Sequence, residues 1–145
     1  MSDSSTIYLL DTNIISELMR AAAGKAALRY RQALTAKRQH ALPTTQVVTS
    51  IVVQCELLFG LYRKPSPRLQ ASYDLMMTGL PVLPLDAALA PVYAELRGHL
   101  EQAGTPLASN DLLIAAHALT LGATLVSADT AFARVPDLKL ENWLT

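Results

Sequence analysis

Short apolar runs alternate along this chain with longer stretches of helical spacing, a pattern that predicts an α/β fold around a mainly parallel sheet. Runs at 7–10, 47–50, 82–85 and 124–127 read as strands, with a weaker one at 138–141, so about five strands are expected. The stretch 12–19 opens on Thr12, a residue able to cap a helix, and places Ile15, Leu18 and Met19 on one side. Residues 25–40 are rich in Ala, Leu, Gln, Arg and Lys, all good helix formers. Helical spacing returns at 53–63 and at 67–78, the latter opening with Pro67, which suits a first turn. Asp86 can cap the next helix, and Gly104 closes it. Pro91 fits that helix only if it starts within a residue or so of the proline, or bends there. Ser109 or Asn110 can cap a helix running to Leu121, which Gly122 ends. The stretch 42–46 reads as a turn before a strand rather than a domain boundary, so one domain is expected over residues 1–145.

Composition supports that picture and adds little about partners. Half of the 145 residues are hydrophobic and 17% are charged, which suits one globular core. Twelve basic and twelve acidic residues balance, so contact with nucleic acid would require a local basic patch. Arg20, Lys25, Arg29, Arg31, Lys37 and Arg38 in the first third, and Arg63, Lys64 and Arg68 later, are the candidates; the plainer reading makes them solvated helix faces. One cysteine, Cys55, excludes an internal disulfide and suits a reducing compartment, and its apolar neighbours predict a buried thiol. No signal-like amino end and no apolar run of about 18 residues is present, so a soluble, cytoplasmic protein is expected.

The candidate chemistry lies in four acids. The first strand ends on Asp11-Thr12-Asn13, which puts a carboxylate at the mouth of a sheet, where open α/β proteins place their chemistry. Glu56, Asp111 and Asp129 also fall where a strand ends or a helix begins. Each has an ordinary structural alternative: Asp11 and Asp129 as helix caps, Glu56 as a surface acid, Asp111 as a first-turn acid. As a set they repel. At roughly 6 Å and an effective dielectric of about 20, each pair costs roughly 3 kcal/mol. A hard divalent cation removes that cost, so the set reads as a magnesium or manganese site. Asn13 could hold Asp11 or a water, Ser50 could donate into the same cleft, and Ser127 closes its strand with a hydroxyl nearby. His40, His99 and His117 show no zinc-ligand spacing, His117 reads as a core or helix-flanking histidine, and Trp143 as a core anchor for the last strand.

With those residues in view the chain resembles the PIN-domain nucleases. The resemblance rests on Tyr8-Leu9-Leu10-Asp11-Thr12-Asn13; Ser50 with Glu56-Leu57 and Gly60; Asn110-Asp111-Leu112-Leu113-Ile114-Ala115-Ala116-His117-Ala118; and Leu125-Val126-Ser127-Ala128-Asp129. The closing segment, 132–136 and 138–143, is similar to the tail of VapC-type toxins of prokaryotic toxin–antitoxin modules. The resemblance implies a twisted parallel sheet with helices on both faces and acids at its carboxyl edge. It also implies metal-dependent cleavage of RNA, a homodimer and a cognate antitoxin that blocks the site. Asp11, Glu56, Asp111 and Asp129 match the family's acidic positions, and Asn13, Ser50 and Ser127 its supporting polar ones. Ser127 stands where many members carry Thr, and Asp137 where a glycine is frequent.

The expected mechanism uses Mg²⁺ or Mn²⁺ held by Asp11, Asp111 and either Glu56 or Asp129, with Glu56 as the base that takes a proton from water. RNA contacts are expected first along 25–40, from Arg29, Arg31, Lys37 and Arg38. Rival readings are a nuclease without a toxin role, a PIN-like module that only binds, and a haloacid-dehalogenase-like phosphatase. The last would need a second Asp where Asn13 stands and a downstream lysine, and no Lys lies between Lys64 and Lys139.

Overall fold

Strand β1 (Thr6–Leu10) runs through the centre of a five-stranded sheet with the order β3-β2-β1-β4-β5. Its partners are β2 (Thr45–Ser50), β3 (Val82–Leu83), β4 (Thr124–Val126) and β5 (Lys139–Glu141). All four pairings are parallel: Leu9 faces Val48 on one side and Leu125 on the other. The computed structural model describes residues 5–38 and 44–145. Consecutive residues of the central strands are buried: Leu9 and Leu10, Val47 and Val48, Leu125 and Val126. Successive strand side chains point to opposite faces, so both faces of the sheet are covered, as a parallel sheet requires.

Among the described residues six helices provide the cover: α1 (Thr12–Arg20), α2 (Lys25–Arg38), α3 (Ile51–Arg63), α4 (Pro67–Met77), α5 (Leu89–Gln102) and α6 (Ser109–Leu121). A short 3₁₀ helix, Thr130–Arg134, follows β4. The elements match the sequence pattern closely, with instructive differences at their ends. Strand β3 stops at Leu83, because Pro84 has no N–H to continue the ladder. The last two residues of the predicted 25–40 helix, and the first two of the 42–46 turn, lie outside the described residues, while Thr45 and Gln46 already belong to β2. Helix α3 starts two residues earlier than its spacing predicts, because the Ser50 hydroxyl accepts the Val52 N–H at 3.1 Å. Asp86 accepts from Ala88 in the turn leading into α5, which places Pro91 in the first helical turn. Gly104 and Gly122 both adopt positive φ (73° and 66°) where α5 and α6 end, the left-handed stop that glycine allows without a Cβ penalty.

Two expectations are corrected. Cys55 is exposed rather than buried. Helix α3 is apolar on more than one side: Val52, Val53 and Leu57 turn inward, and Cys55, Leu58 and Phe59 outward. Neither Ser109 nor Asn110 caps α6; its N-cap is Ala108, without a side-chain hydrogen bond. Trp143 and His117, by contrast, are buried as expected. Asp137 adopts φ 64°, the left-handed turn that explains a glycine preference at this position.

Candidate active site

Because the strands are parallel, β1, β2 and β4 all end on one edge of the sheet, and the helices that follow them begin there. Asp11 is the first residue past β1. Its N–H still donates to Val126 O at 2.9 Å, so the backbone is held in the sheet while the side chain caps α1. Only 4% exposed, it makes a full set of contacts. Oδ1 accepts the Thr12 N–H at 2.8 Å, and Oδ2 accepts the Ser127 hydroxyl at 2.7 Å and the Asn13 amide at 3.4 Å.

Asn13 and Ser127 bolt the turn after β1 to the turn after β4. The Asn13 amide also donates to Ser127 Oγ at 3.3 Å, and its carbonyl accepts the Ala128 N–H at 3.0 Å. Ser127 Oγ accepts the Asp129 N–H at 3.0 Å. Asp129 in turn caps the 3₁₀ helix, accepting from Ala131 at 2.9 Å. Asp11 and Asp129 are therefore both helix caps and members of the acidic cluster, so the structural and chemical readings of these residues coexist.

Glu56 lies on α3, and both of its oxygens are engaged from other elements. The Thr12 hydroxyl donates to Oε1 at 2.5 Å and the Asn110 amide to Oε2 at 3.3 Å. Asp111, in the first turn of α6, is half-buried. Burial first, then the charges of Asp11, Asp129 and Glu56, push its carboxyl up to about 6. Burial likewise raises Asp11, and its hydrogen bonds from Ser127 and Thr12 oppose the rise, while Glu56 and Asp129 add to it. Mutual repulsion of this kind places all four acids within one electrostatic neighbourhood.

Ser50 departs from expectation. It is wholly buried, caps α3 and meets His117 Nδ1 at 2.8 Å instead of any of the four acids. Burial lowers the His117 pKa, with Asp86 opposing, which keeps the imidazole neutral near pH 7. Thr12, Asn110 and His117 are supporting residues that sequence spacing did not single out. Their signal was present only as polar residues at helix starts and one histidine on an apolar helix.

The donor set fits a hard divalent cation in its chemistry. The ion pairs among the described residues, Arg20–Glu17, Arg29–Glu141 and Arg97–Glu101, involve none of the four acids. In position the set is open: among the described residues no three His, Cys, Asp or Glu side chains converge as ligands of one ion. Glu56 is drawn toward Thr12 and Asn110, and Asp129 toward its cap.

The predicted RNA-contact residues lie elsewhere. Arg29 pairs with Glu141 at 2.9 Å and stacks over Trp143, and Arg31 donates to Ala22 O. Lys37 and Arg38 close α2, one turn or less from Ala36, which shares a hollow with Thr45 at the beginning of β2. That is the opposite edge of the sheet from the acids. Arg20, Arg63 and Lys64 are closer, on the walls of a groove of about 670 Å³ that Thr12 and Glu56 also line.

Residues 8–138 match the PIN domain family. The chain is 37% identical to ribonuclease VapC2 of Rickettsia felis over 94% of its own length and 98% of that protein. It is 31% identical to ribonuclease VapC1 of Haemophilus influenzae over the same shares. The crystal structure of VapBC2 from Rickettsia felis, bound to a DNA fragment from its promoter, superposes with a TM-score of 0.84 at 32% identity, covering 95% of this chain and 99% of that one. The order of motifs, the all-parallel sheet and these likenesses agree, and the chain belongs to the PIN-domain family, in its VapC branch.

Proposed function

We propose that this protein is a metal-dependent endoribonuclease acting in the cytoplasm as the toxin of a toxin–antitoxin module, built as a single PIN domain over residues 1–145. The observation that carries the reading is the set of four acids at one sheet edge, none of which takes part in an ion pair among the described residues. The relatives named ribonuclease support the reaction, and the structural relative that is a VapBC complex supports a partner.

In this reading Asp11, Asp111 and Asp129 hold Mg²⁺ or Mn²⁺. Bound there, the ion would supply positive charge at the phosphodiester and lower the pKa of a water. The protein does the rest. Ser127 and Asn13 fix Asp11 so that its carboxylate needs no reorganisation, and Glu56 accepts the proton of the attacking water. Ser50 and His117 hold the start of α3, the helix that carries Glu56. Phosphates flanking the cleaved bond meet Arg20, Arg63 and Lys64, which lie on the side of the acids, rather than Arg29, Arg31, Lys37 and Arg38.

The same groove suits an antitoxin segment. Met19, Leu57, Leu61 and Leu69 give it an apolar floor, and it opens on Glu56, so an occupant there would obstruct the acids. A homodimer is inferred from the opposite face of α3. Cys55, Leu58, Phe59 and Tyr62 follow helical spacing, and Phe59 and Tyr62 are 61% and 78% exposed.

The test is cleavage of labelled total RNA by the purified, antitoxin-free protein with Mg²⁺ or Mn²⁺, beside EDTA and Asp11→Asn controls. Cuts that depend on the metal and vanish with Asp11→Asn are expected. Equal cutting in EDTA, or by Asp11→Asn, would overturn the metal site.

A further inference from the structure

We propose that Thr12 and Asn110 are positioning residues that together clamp Glu56, holding its carboxylate toward water and out of the metal's ligand set; this rests on the nuclease reading above. Their hydrogen bonds come from two different helix starts: Thr12 opens α1 and Asn110 is the second residue of α6. They span 44 and 54 residues of sequence and take one oxygen of Glu56 each.

Both donors are residue types that ordinarily cap helices, and neither is used for that here. Asp11 caps α1 in place of Thr12. Helix α6 has no side-chain cap at all, although Asn110 stands at its start. The amide of Asn110 goes to Glu56 instead. Thr12 and Asn110 are neutral donors, so they orient the carboxylate without cancelling its charge. Each carboxylate oxygen keeps a second lone pair, which leaves Glu56 able to accept a proton from water.

The Glu56 carboxylate survives loss of the clamp but loses its direction. Thr12→Val and Asn110→Ala should each lower kcat for RNA cleavage about 10- to 100-fold, within the range a general base contributes. KM should stay within about 2-fold, because Thr12→Val keeps the shape of the side chain where it lines the groove, and Arg20, Arg63 and Lys64, assigned above to the phosphates, are unchanged. Thr12→Ser should recover most of the rate. In a Glu56→Gln background, Thr12→Val should cost nothing further, since residues acting as one unit are not additive. Calorimetry with Mn²⁺ alone gives a readout apart from activity: Mn²⁺ affinity of Thr12→Val and Asn110→Ala should stay within about 3-fold of the parent protein. A loss of about 10-fold or more would make Glu56 a ligand with Thr12 and Asn110 as its supports, and would overturn the proposal. Additive kcat losses in the Glu56→Gln background would overturn it as well. Parent protein that cuts no RNA would overturn the nuclease reading and the clamp with it, whereas failure of the clamp alone leaves the parent active.

Discussion

Asp111 carries the clearest electrostatic cost at the residue scale. Its folded-state pKa is about 6, above the ordinary 3.8, so between these values the native state binds more protons than the unfolded chain. Ionising Asp111 therefore weakens folding as pH rises from about 4 to 6, and the weakening persists above that. Asp111→Asn should stabilise the metal-free protein at pH 7.5, by on the order of 1 kcal/mol once solvent screening is allowed for, or about 3 °C in Tm. At pH 4, where the parent residue is itself largely protonated, the two proteins should melt together. His117 has the opposite sign: its pKa is lowered by burial, so stability is lost as pH falls below the ordinary 6.5. The two effects oppose each other in one pH window. Asp111→Asn should therefore show a steeper loss of Tm on acidification below pH 6.5 than the parent. Thermal melts from pH 4 to 8 would check both, and an unchanged profile would contradict the raised pKa that burial and the neighbouring acids give Asp111.

At the scale of elements, β1, β2 and β4 are the strands whose apolar runs continue without alternation, and burial on both faces is what makes such runs legible. Helix ends were legible where a residue type has a backbone reason, as at Gly104 and Gly122. Helix starts were less so, because Thr12, Asn110 and Ser50 all have cap chemistry and only the fold decides what each one bonds. Asp11 and Ser127 could be placed at strand ends from sequence, but their 2.7 Å bond joins residues 116 apart and follows only from the pairing of β1 with β4. Cys55 was misplaced because an apolar neighbourhood does not tell the inward from the outward side of a helix. Ser50 tests how an element start bears on the site. Ser50→Ala removes the cap of α3 and the partner of His117 together, and should cost about 2 kcal/mol in chemical denaturation. Ser50→Thr, which keeps the hydroxyl, should cost clearly less. Equal losses would assign the effect to packing instead of hydrogen bonding.

The whole molecule presents two surfaces of α3 that do different work in this reading. Leu57, Gly60 and Arg63 border the groove that reaches Glu56, while Cys55, Leu58, Phe59 and Tyr62 form an exposed apolar stripe on another side. Large apolar side chains exposed together are costly in water and are commonly covered by a partner. A stripe along one helix suits a two-fold contact, in which the same residues meet their copies. Light scattering should therefore give twice the chain mass for the parent protein at micromolar concentration. Phe59→Arg with Tyr62→Arg should give a monomer, since two buried like charges per subunit would face their equivalents across the axis. The groove meets that stripe at Arg63, whose guanidinium lies 5.6 Å over the Phe59 ring, but none of the four acids belongs to the stripe, so the monomer should keep the Mn²⁺ affinity of the parent. Alkylation of Cys55 should be slow in the dimer and fast in the variant, because the thiol lies within the covered stripe. A parent protein that stays monomeric, or a doubly substituted one that stays dimeric, would move the dimer contact off α3; loss of Mn²⁺ binding in the monomer would instead show that the acids depend on the second subunit.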